Sequence, residues 1–325
     1  MKKYLLTAAA LAALTVSAHA EKVVLQLKWV TQAQFAGYYV AQAKGYYKAA
    51  GLEVEIKPGG PDIAPEQIIA GGGADVIVDW MPAALAAREK GNKLVNIAQP
   101  FKHSGLMLTC RKETGIAAPA DFKGKTLGVW FYGNEYPFLA WMSKLGLKTD
   151  SDIKVLKQGF NVDPLLQKQA DCISTMTYNE YHQVLEAGVK AEDLVVFKYE
   201  DQGVATLEDG LYVSEDKLKD PKFVETMAKF VKASMMGWAD MAKDPGGAVK
   251  TVLENDASGS QTEAHQTTMV EEVNKLVDGS DGTLDTAAAD RTVATLLSGG
   301  SDPVITKKPE GAWTDVVTKA AMMMK

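Results

Sequence analysis

The fold is decided by a stretch near the start of the chain, LQLKWVTQAQFAGYYVAQAKGYY at residues 25–47, followed by GLEVEI at residues 51–56. The first segment predicts a short strand, a loop crowded with Trp, Gln and Phe, and a helix, and the second predicts another strand. Together they form one βαβ unit of about the minimum length for a parallel crossover. The loop after a strand of an open parallel sheet faces the ligand crevice. Because this loop offers rings and amides but no phosphate-cradling glycine pattern, it indicates a pocket for a flat, polar, uncharged or weakly charged molecule.

The first twenty residues have the composition of a secretory signal peptide. Two lysines give a positive start, residues 5–16 form an apolar run broken only by two threonines, and Ala18-His19-Ala20 is a small-x-small cleavage site. Cleavage after Ala20 leaves Glu21 as the first mature residue, with no cysteine there to carry a lipid. No later run reaches the roughly eighteen apolar residues of a spanning helix. We therefore expect an exported, periplasmic protein that does not span the membrane.

Length, charge and cysteine content narrow the class of protein. The 325 residues suffice for two domains even after removal of the signal peptide. The formal net charge of −6 becomes −8 in the mature chain, because the signal peptide carries two lysines and no acidic residue. Nucleic acid requires a basic face, so it is not an expected partner. Cys110 and Cys172 could form one bridge in an oxidising compartment, but two separate buried thiols are the simpler expectation because free Cys is commonly buried.

Strand-like and helix-like segments alternate over about the first 200 residues, which predicts an α/β architecture. Strands are predicted at 23–28, 52–56, 74–80, 94–98, 106–111, 126–131, 153–156, 172–176, 194–197 and 210–213. Helices are predicted at 65–70, 82–90, 135–145, 164–169 and 178–186, several of them ended by glycine. One five-stranded domain would need about half of this length. We therefore expect two domains, with the chain crossing between them near 102–105 and near 203–211.

The pattern changes to helical from Lys222 onwards. Phe223, Met227, Phe230 and Trp238 recur at helical spacing. Further helices are predicted at 247–254, 262–276, 286–298 and 312–324, with loops at the glycine and serine clusters of 279–282 and 299–301. This part of the chain is expected to wrap the α/β domains.

Four loops that follow predicted strands are rich in aromatic and amide side chains. In each loop the polar group lies at or just before a helix start, where free backbone N–H groups and the helix dipole assist binding. The rings can stack on a heterocycle, and Asp79, Asn179 and Glu180 can fix its orientation through directional hydrogen bonds. The candidate ligand-binding residues are Trp29, Gln32, Phe35, Tyr38, Asp79, Trp80, Trp130, Tyr132, Gly133, Asn134, Glu135, Tyr178, Asn179 and Glu180.

Each candidate also has a purely structural explanation. A lone Trp at a strand end is more often core than ligand platform, Asp79 could cap the helix near Pro82, and Glu180 could pair at the surface. The recurrence of the same residue classes at four junctions argues against chance placement. The histidines lack metal-ligand spacing, and no nucleophile elbow, P-loop or dinucleotide fingerprint is present. No catalytic residue, metal or cofactor is therefore expected.

The chain resembles the periplasmic substrate-binding proteins of ABC importers, in the superfamily that binds nitrate, sulfonates, taurine and thiamine-pyrimidine precursors. It is most similar to the pyrimidine-precursor branch, which includes the formylaminopyrimidine-binding proteins and the yeast hydroxymethylpyrimidine synthase. The segments that carry the resemblance are LKW at 27–29, QFAGYYVA at 34–41, KGYY at 44–47, AGL at 50–52, GAD at 73–75, FKGKTLGV at 122–129 and MTYNEY at 176–181.

The resemblance implies a two-lobed type II periplasmic binding protein fold that closes by a hinge motion. Each lobe would be a mostly parallel sheet flanked by helices, with the ligand cleft between the lobes. One lobe would comprise 21–104 and 205–325, and the other 105–204. The chain departs from many relatives, which carry Asp where this chain has Lys28. It also lacks the cysteine-rich, iron-linked motif of the yeast synthase.

We therefore expect a monomeric, non-enzymatic solute-binding component of an ABC transporter. It would bind a small heteroaromatic compound, foremost a thiamine-type pyrimidine precursor, and deliver it to the transmembrane subunits of a permease. The alternatives are riboflavin or a sulfonate on the same scaffold, a pyrimidine-synthase-like enzyme, and a ligand-sensing module for a membrane receptor. A sulfonate requires Arg, Lys or helix N-termini, and only Lys28 and Lys102 lie near the candidate loops, where Asp79 and Glu180 would repel an anion.

Overall fold

Two five-stranded sheets form the framework of the computed structural model, which describes residues 20–298 and 303–324. The predicted signal peptide, apart from Ala20, and the predicted loop at 299–301 lie outside the described residues. The strands are β1 (Glu21–Gln26), β2 (Leu52–Lys57), β3 (Val76–Asp79), β4 (Leu94–Ala98), β5 (Leu106–Arg111), β6 (Thr126–Val129), β7 (Lys154–Lys157), β8 (Cys172–Met176), β9 (Leu194–Lys198) and β10 (Gly210–Ser214).

Both sheets have the same topology. The strand order is β2-β1-β3-β10-β4 in the first sheet and β7-β6-β8-β5-β9 in the second. β10 is antiparallel to both of its neighbours, and so is β5, whereas the remaining pairs are parallel. Each antiparallel strand is the first one that the chain forms after it crosses from one sheet to the other. We call the body around the first sheet lobe I and the body around the second sheet lobe II.

This arrangement confirms the predicted α/β, two-lobed class with mostly parallel sheets. The first sheet takes its strands from residues 21–98 and 210–214, and the second from residues 106–198. The chain passes between the sheets through residues 99–105 and 199–209. The domain limits of 21–104 with 205–325, and of 105–204, stay predictions.

Among the described residues, no helix is long and apolar enough to cross a membrane.

Helices flank both sheets. In lobe I the helices are α1 (Ala36–Ala43), α2 (Tyr46–Ala49), α3 (Pro65–Ala70), α4 (Met81–Glu89), α8 (Pro221–Lys243), α9 (Pro245–Asn255), α10 (Glu263–Val277), α11 (Thr286–Leu297) and α12 (Val316–Met323). In lobe II they are α5 (Tyr136–Lys144), α6 (Asp163–Leu166) and α7 (Glu180–Glu186).

The long helix α8 covers α1, because glycine on each helix allows a close crossing. A Cβ at Gly237 would lie 2.0 Å from the carbonyl oxygen of Gly37, and a Cβ at Gly37 would lie 2.1 Å from the Trp238 ring. The apolar residues predicted at helical spacing are in α8, where Met227, Phe230 and Trp238 are buried. The C-terminal helical segment is therefore packed into the core of lobe I.

A disulfide joins the two cysteines across the second sheet. Cys110 on β5 and Cys172 on β8 are direct cross-strand partners, and their sulfur atoms are bonded at 2.02 Å. The expectation of two separate thiols is therefore wrong. The two positions are 62 residues apart in the chain, so only the strand pairing of the folded sheet brings them together.

Sheet hydrogen bonding shortens the last helix. The sequence predicts a helix over 312–324, but α12 begins at Val316. The backbone N–H of Asn96 on β4 donates to the carbonyl of Ala312 at 2.9 Å, and the N–H of Thr314 donates to the carbonyl of Asn96 at 3.0 Å. The segment before α12 therefore extends along the edge strand of the first sheet, and its backbone groups are satisfied there rather than in a helical turn.

Candidate functional site

A narrow cavity lies between the lobes, where the loops after β1 and β3 of lobe I meet the loops after β6 and β8 of lobe II. Its volume is about 20 Å³, which is enough for about one water molecule. A larger molecule therefore requires the lobes to separate before it can enter. The cavity is lined by Lys28, Trp29, Gln32, Gln34, Trp80, Trp130, Asn134, Met176, Tyr178 and Glu180.

A buried ion pair forms the lobe I end of the site. Lys28 Nζ lies 2.6 Å from Asp79 Oδ1, and both side chains are almost completely buried. Asp79 Oδ1 also accepts a hydrogen bond from the backbone N–H of Trp80 at 2.8 Å, whereas Asp79 Oδ2 has no partner. The ammonium group also lies 5.3 Å from the centre of the Trp80 ring. The positive charge of Lys28 is therefore already compensated before any ligand approaches.

A chain of hydrogen bonds continues from this pair across the cleft. Asp209 accepts from Trp80 Nε1 at 3.1 Å and from Gln34 Nε2 at 2.7 Å. Gln34 Oε1 accepts from Gln32 Nε2 at 2.8 Å, and Gln32 Oε1 accepts from Asn179 Nδ2 of lobe II at 3.3 Å. The side-chain amides thus connect a carboxylate of lobe I to the start of α7.

Glu180 forms the lobe II end of the chain. Its Oε1 accepts from Asn179 Nδ2 at 2.8 Å, and its Oε2 accepts from the backbone N–H of Met176 at 3.0 Å. Burial is the main reason that the pKa of Glu180 is raised to about 7 and that of Asp209 to about 6. The polar part of the site therefore has acceptor groups and acidic character.

Aromatic side chains form the walls. The rings of Trp29 in lobe I and Trp130 in lobe II have centroids 5.9 Å apart and meet edge to face at 63°. Trp130 is held by a hydrogen bond from its Nε1 to the carbonyl of Gly159 at 2.8 Å. Trp80 and Tyr178 are likewise buried beside the cavity. A planar molecule that enters between Trp29 and Trp130 would touch both lobes.

The structure brings half of the predicted residues around this cavity. They come from both lobes and from all four of the loops that the sequence singled out. These lining residues are Trp29, Gln32, Trp80, Trp130, Asn134, Tyr178 and Glu180. Asn179 lies directly behind them, hydrogen-bonded to Gln32 and Glu180.

Three predicted residues lie elsewhere in lobe I. Phe35 and Tyr38 are in the hydrophobic core, where the Tyr38 ring packs against Trp238 with centroids 5.4 Å apart. Asp79 is fully buried behind Lys28 and does not line the cavity. The α1 segment points these rings inward because it lies between the first sheet and α8.

Tyr132, Gly133 and Glu135 line a second, larger groove between the lobes, with a volume of about 530 Å³. Its opposite wall is formed by α3 and α4, including Glu66, whose pKa is raised to about 7, chiefly by burial. An ion pair between Lys157 and Asp62 at 2.9 Å joins the lobes nearby. The 130–135 loop contributes to both spaces, because Trp130 and Asn134 face the cavity while their neighbours face this groove.

The sequence did not identify five residues of the site as candidates, one of which is Met176, the last residue of β8, which lines the cavity. Lys28 and Gln34 lie in the first loop, and a charged residue at the end of an apolar strand was a usable signal for Lys28. Asp209 has a left-handed backbone with φ of 45° and is 129 residues from its site partner Trp80 and 175 residues from its site partner Gln34 in sequence. His265, on α10, contacts Asn179 from behind the site. Nothing local in the sequence marks Asp209 or His265.

No group of three or more histidine, cysteine, aspartate or glutamate side chains within 20–298 and 303–324 is arranged to hold a metal ion.

The protein-family model described as NMT1/THI5 like matches residues 32–248 of the chain. This range is more than half of the chain and includes all four loops of the site except the start of the first.

Relatives of the chain are named for different activities. A formylaminopyrimidine-binding protein of Halalkalibacterium halodurans is 24% identical over 72% of this chain and 71% of its own length. A riboflavin-binding protein of Chloroflexus aurantiacus is 26% identical over 69% of this chain and 64% of its own length. A 4-amino-5-hydroxymethyl-2-methylpyrimidine phosphate synthase of Schizosaccharomyces pombe is 23% identical over 69% of this chain and 66% of its own length. The matched part of the chain thus spans about two thirds of these relatives.

Solved structures share the fold over nearly the whole chain. A protein of Bordetella bronchiseptica RB50 has a TM-score of 0.74 at 21% identity, covering 92% of this chain and 96% of its own. The periplasmic aliphatic sulphonate binding protein of Escherichia coli has a TM-score of 0.63 at 14% identity, covering 92% and 91%. A ligand-binding component of an ABC-type import system from Staphylococcus aureus has a TM-score of 0.67 at 13% identity, covering 93% and 99%. These likenesses establish the periplasmic binding protein fold.

Proposed function

Because the chain belongs to the NMT1/THI5-like family, we propose that it is the extracytoplasmic solute-binding component of an ABC transporter. It binds a small heteroaromatic compound, foremost a thiamine-type pyrimidine precursor, and delivers it to the transmembrane subunits of a permease. Relatives named for pyrimidine and riboflavin binding and a structural neighbour named as a component of an ABC import system support this proposal. The protein is exported after cleavage behind Ala20, acts without catalysis or a cofactor, and is a monomer.

The observation that carries the proposal is the aromatic-walled cavity crossed by a hydrogen-bonded polar chain. Trp29 lines it from lobe I and Trp130 from lobe II, and Glu180 is also among its lining residues. A planar ring inserted between the two tryptophans gains stacking contacts with both lobes. Since a ligand stabilises the conformation in which it makes more contacts, such a ring would favour the closed form by a hinge motion.

The charges of the site favour a ligand that donates hydrogen bonds. Lys28 is compensated by Asp79, so it offers little to an anion, and Glu180 and Asp209 oppose one. With a pKa near 7, Glu180 can be a neutral carboxyl that donates to a ring nitrogen and accepts from the adjacent amino group of an aminopyrimidine. An ionised Glu180 can instead pair with a protonated ring. Either state matches an aminopyrimidine better than a sulfonate.

Riboflavin is the second candidate, because the groove next to the cavity provides room for a larger ligand. This groove has a volume of about 530 Å³ and is lined by Tyr132, Gly133 and Glu135, which stay predicted ligand contacts. A tricyclic ring with a polar chain could occupy the cavity and extend into the groove. A single pyrimidine would leave the groove to solvent.

Mass spectrometry of the small molecule that co-purifies with the mature protein tests the proposal. A thermal-shift screen of pyrimidines, flavins, sulfonates and amino acids complements it. A ligand at a hundred times its dissociation constant stabilises the folded state by about 2.7 kcal/mol. We expect 4-amino-5-hydroxymethyl-2-methylpyrimidine or a close relative to raise the melting temperature. Stabilisation by sulfonates or amino acids alone would rule out the heteroaromatic ligand.

A further inference from the structure

One histidine bridges the two lobes behind the proposed binding site. His265 Nε2 lies 2.9 Å from Asn179 Oδ1, and His265 Nδ1 lies 2.9 Å from Glu186 Oε1. The histidine belongs to α10, which packs against α9 and residues 33–35 of lobe I, whereas its two partners lie at the two ends of α7 in lobe II. Its side chain is 8% exposed. Both bonds exist only when the lobes are together.

The direction in which the Asn179 amide points is fixed by two carboxyl groups. Asn179 Nδ2 donates to Glu180 Oε1 directly. The same nitrogen also donates to the side-chain oxygen of Gln32. The Gln32 nitrogen in turn donates to the Gln34 oxygen, and the Gln34 nitrogen donates to Asp209. Ionised carboxylates only accept, so each amide in the chain turns its nitrogen towards Asp209 or Glu180 when these two groups are ionised. The Asn179 oxygen also accepts a hydrogen bond from Gln183 Nε2 at 2.9 Å. Asn179 therefore presents its carbonyl oxygen to α10.

Both ring nitrogens of His265 consequently face acceptors. A neutral imidazole has one N–H and one lone pair. It would direct that lone pair either at the Asn179 carbonyl oxygen or at the Glu186 carboxylate. Only the doubly protonated ring donates to both. Glu186 is about half exposed, which gives the ring a route for proton exchange with water.

We propose that His265 is a positioning residue of the binding site, which latches the lobes in its doubly protonated form, so that lobe closure takes up a proton. The histidine acts through Asn179, because it does not line the cavity itself. Its role in ligand binding rests on the proposed function, but the latch itself does not. Protons and a ligand that closes the lobes then strengthen each other's binding, as thermodynamic linkage requires.

The helices that contact α10 carry other titratable groups. On α7, His182 packs edge to face against Tyr181. On α9, Lys250 pairs with Glu254 at 3.9 Å. On α8, Asp240 pairs with Lys243 at 3.4 Å. Residues 33–35, Ala-Gln-Phe, carry no titratable side chain. Glu263 begins α10 itself.

Three buried carboxyls titrate over the same pH range as imidazole. Burial raises the pKa of Asp209 to about 6, of Glu180 to about 7 and of Glu208 to about 8. Any of them that is buried only in the closed form makes closure more favourable at low pH, in the same direction as His265 does. The contribution of the histidine is therefore measured as a difference between variants and not from the wild type alone.

Small-angle X-ray scattering of the mature protein without ligand, between pH 5.5 and pH 8.5, gives the closing equilibrium from the radius of gyration. We expect the wild-type closing constant to fall as pH rises. Each proton released on opening contributes up to about tenfold per pH unit. In His265→Gln, the logarithm of the closing constant should fall less steeply with pH, by up to one unit per pH unit, because up to one proton fewer is released on opening. His182→Gln is the matched control and keeps the wild-type slope.

The variant Glu186→Gln distinguishes a contact that requires the doubly protonated ring from a contact that is merely structural. A glutamine at 186 can donate to a neutral ring, whose other nitrogen then donates to Asn179. The lobes of this variant should close as well as those of the wild type at low pH, and their closing constant should fall less steeply than the wild-type constant as pH rises. A wild-type closing constant that does not change with pH would overturn the proposal, and so would equal slopes in wild type and His265→Gln. Because no ligand is present, this result is independent of what the site binds.

Discussion

Lys28 shows how a single residue determines the character of the site. It lies two residues after the end of β1 and pairs with Asp79, the last residue of β3. The two residues are 51 positions apart, so the pair could be predicted only from the parallel neighbours β1 and β3. A buried pair of this kind adds little net stability, but removing one partner leaves an uncompensated charge.

Lys28→Met is therefore expected to lower the free energy of unfolding by about 3–5 kcal/mol, because Asp79 is left buried without its cation. Urea denaturation measures the change. Lys22→Met is the control. Lys22 lies on β1 and pairs with Glu53 at 3.7 Å, but both side chains are mostly exposed, so no measurable change is expected. The double variant Lys28→Met/Asp79→Leu should recover most of the loss. Equal effects of the two lysine substitutions would contradict the buried pair.

Glu208 carries a prediction about pH. It lies in the second crossover, where it accepts hydrogen bonds from Ser104 Oγ and from the backbone N–H of Gly105, and burial raises its pKa to about 8. The unfolded chain releases this proton near pH 4.3. The folded state thus binds more protons between pH 5 and pH 8, and the free energy of unfolding must fall as pH rises through this range, by up to about 1.4 kcal/mol per pH unit for each proton.

Glu208→Gln removes this contribution while keeping the contacts, because the Ser104 hydroxyl can turn to accept from the new amide. We expect a shallower fall in unfolding free energy between pH 5 and pH 8 than in the wild type, measured by urea denaturation at each pH. Glu254→Gln, an exposed position, serves as control and should keep the wild-type slope. A wild-type stability that rises from pH 5 to pH 8 would contradict the raised pKa values.

At the scale of elements, the helix crossing of α1 and α8 depends on glycine. Gly237→Ala would place a methyl group 2.0 Å from the carbonyl oxygen of Gly37. Overpacking of this kind costs about 1–3 kcal/mol or more of unfolding free energy. Gly246→Ala, in the first turn of α9, meets nothing within 4 Å and should stabilise the protein by up to about 1 kcal/mol. Thermal unfolding distinguishes the two, and a destabilisation of similar size in both variants would contradict the close crossing.

The elements themselves were largely predictable, because their periodicity and terminal signals are local. The strands at 94–98, 106–111 and 172–176 and the helix at 65–70 have the predicted bounds. The end of the chain was not predictable in the same way. The hydrogen bonds between Asn96 and residues 312–314 form only in the folded sheet and replace the first turn of the predicted helix. Likewise, the pairing of β5 with β8 brings the two cysteines together.

At the scale of the whole molecule, the sequence could predict which loops meet but not which side chains reach the meeting point. The cavity is lined by Trp29, Trp130 and Glu180, which were predicted from their positions after strand ends. Tyr38 was chosen for its residue type, yet it turns into the core because α8 covers its face of α1. His265 reaches the site from a helix 86 residues beyond Asn179, and no local pattern could have indicated this.

The central claim is that a heteroaromatic ligand binds between the lobes and is held by Glu180. Both oxygens of this carboxyl accept from fixed donors, Asn179 Nδ2 and the Met176 N–H, so the NH2 group of a glutamine would face a donor and disturb the ligand contact. Hydrogen bonds to charged groups contribute roughly 1.5–3 kcal/mol. This corresponds to about a ten- to hundredfold change in affinity.

Calorimetric titration of the mature wild type and of Glu180→Gln with 4-amino-5-hydroxymethyl-2-methylpyrimidine tests this claim most directly. Glu192→Gln, an exposed glutamate of lobe II, is the control, and thermal unfolding without ligand verifies that all three proteins are folded. We expect binding of one molecule per chain, an affinity about ten- to hundredfold weaker in Glu180→Gln, and no change in the control. Equal affinities of wild type and Glu180→Gln, or no binding of this compound by a protein that binds an alkanesulfonate, would contradict the account.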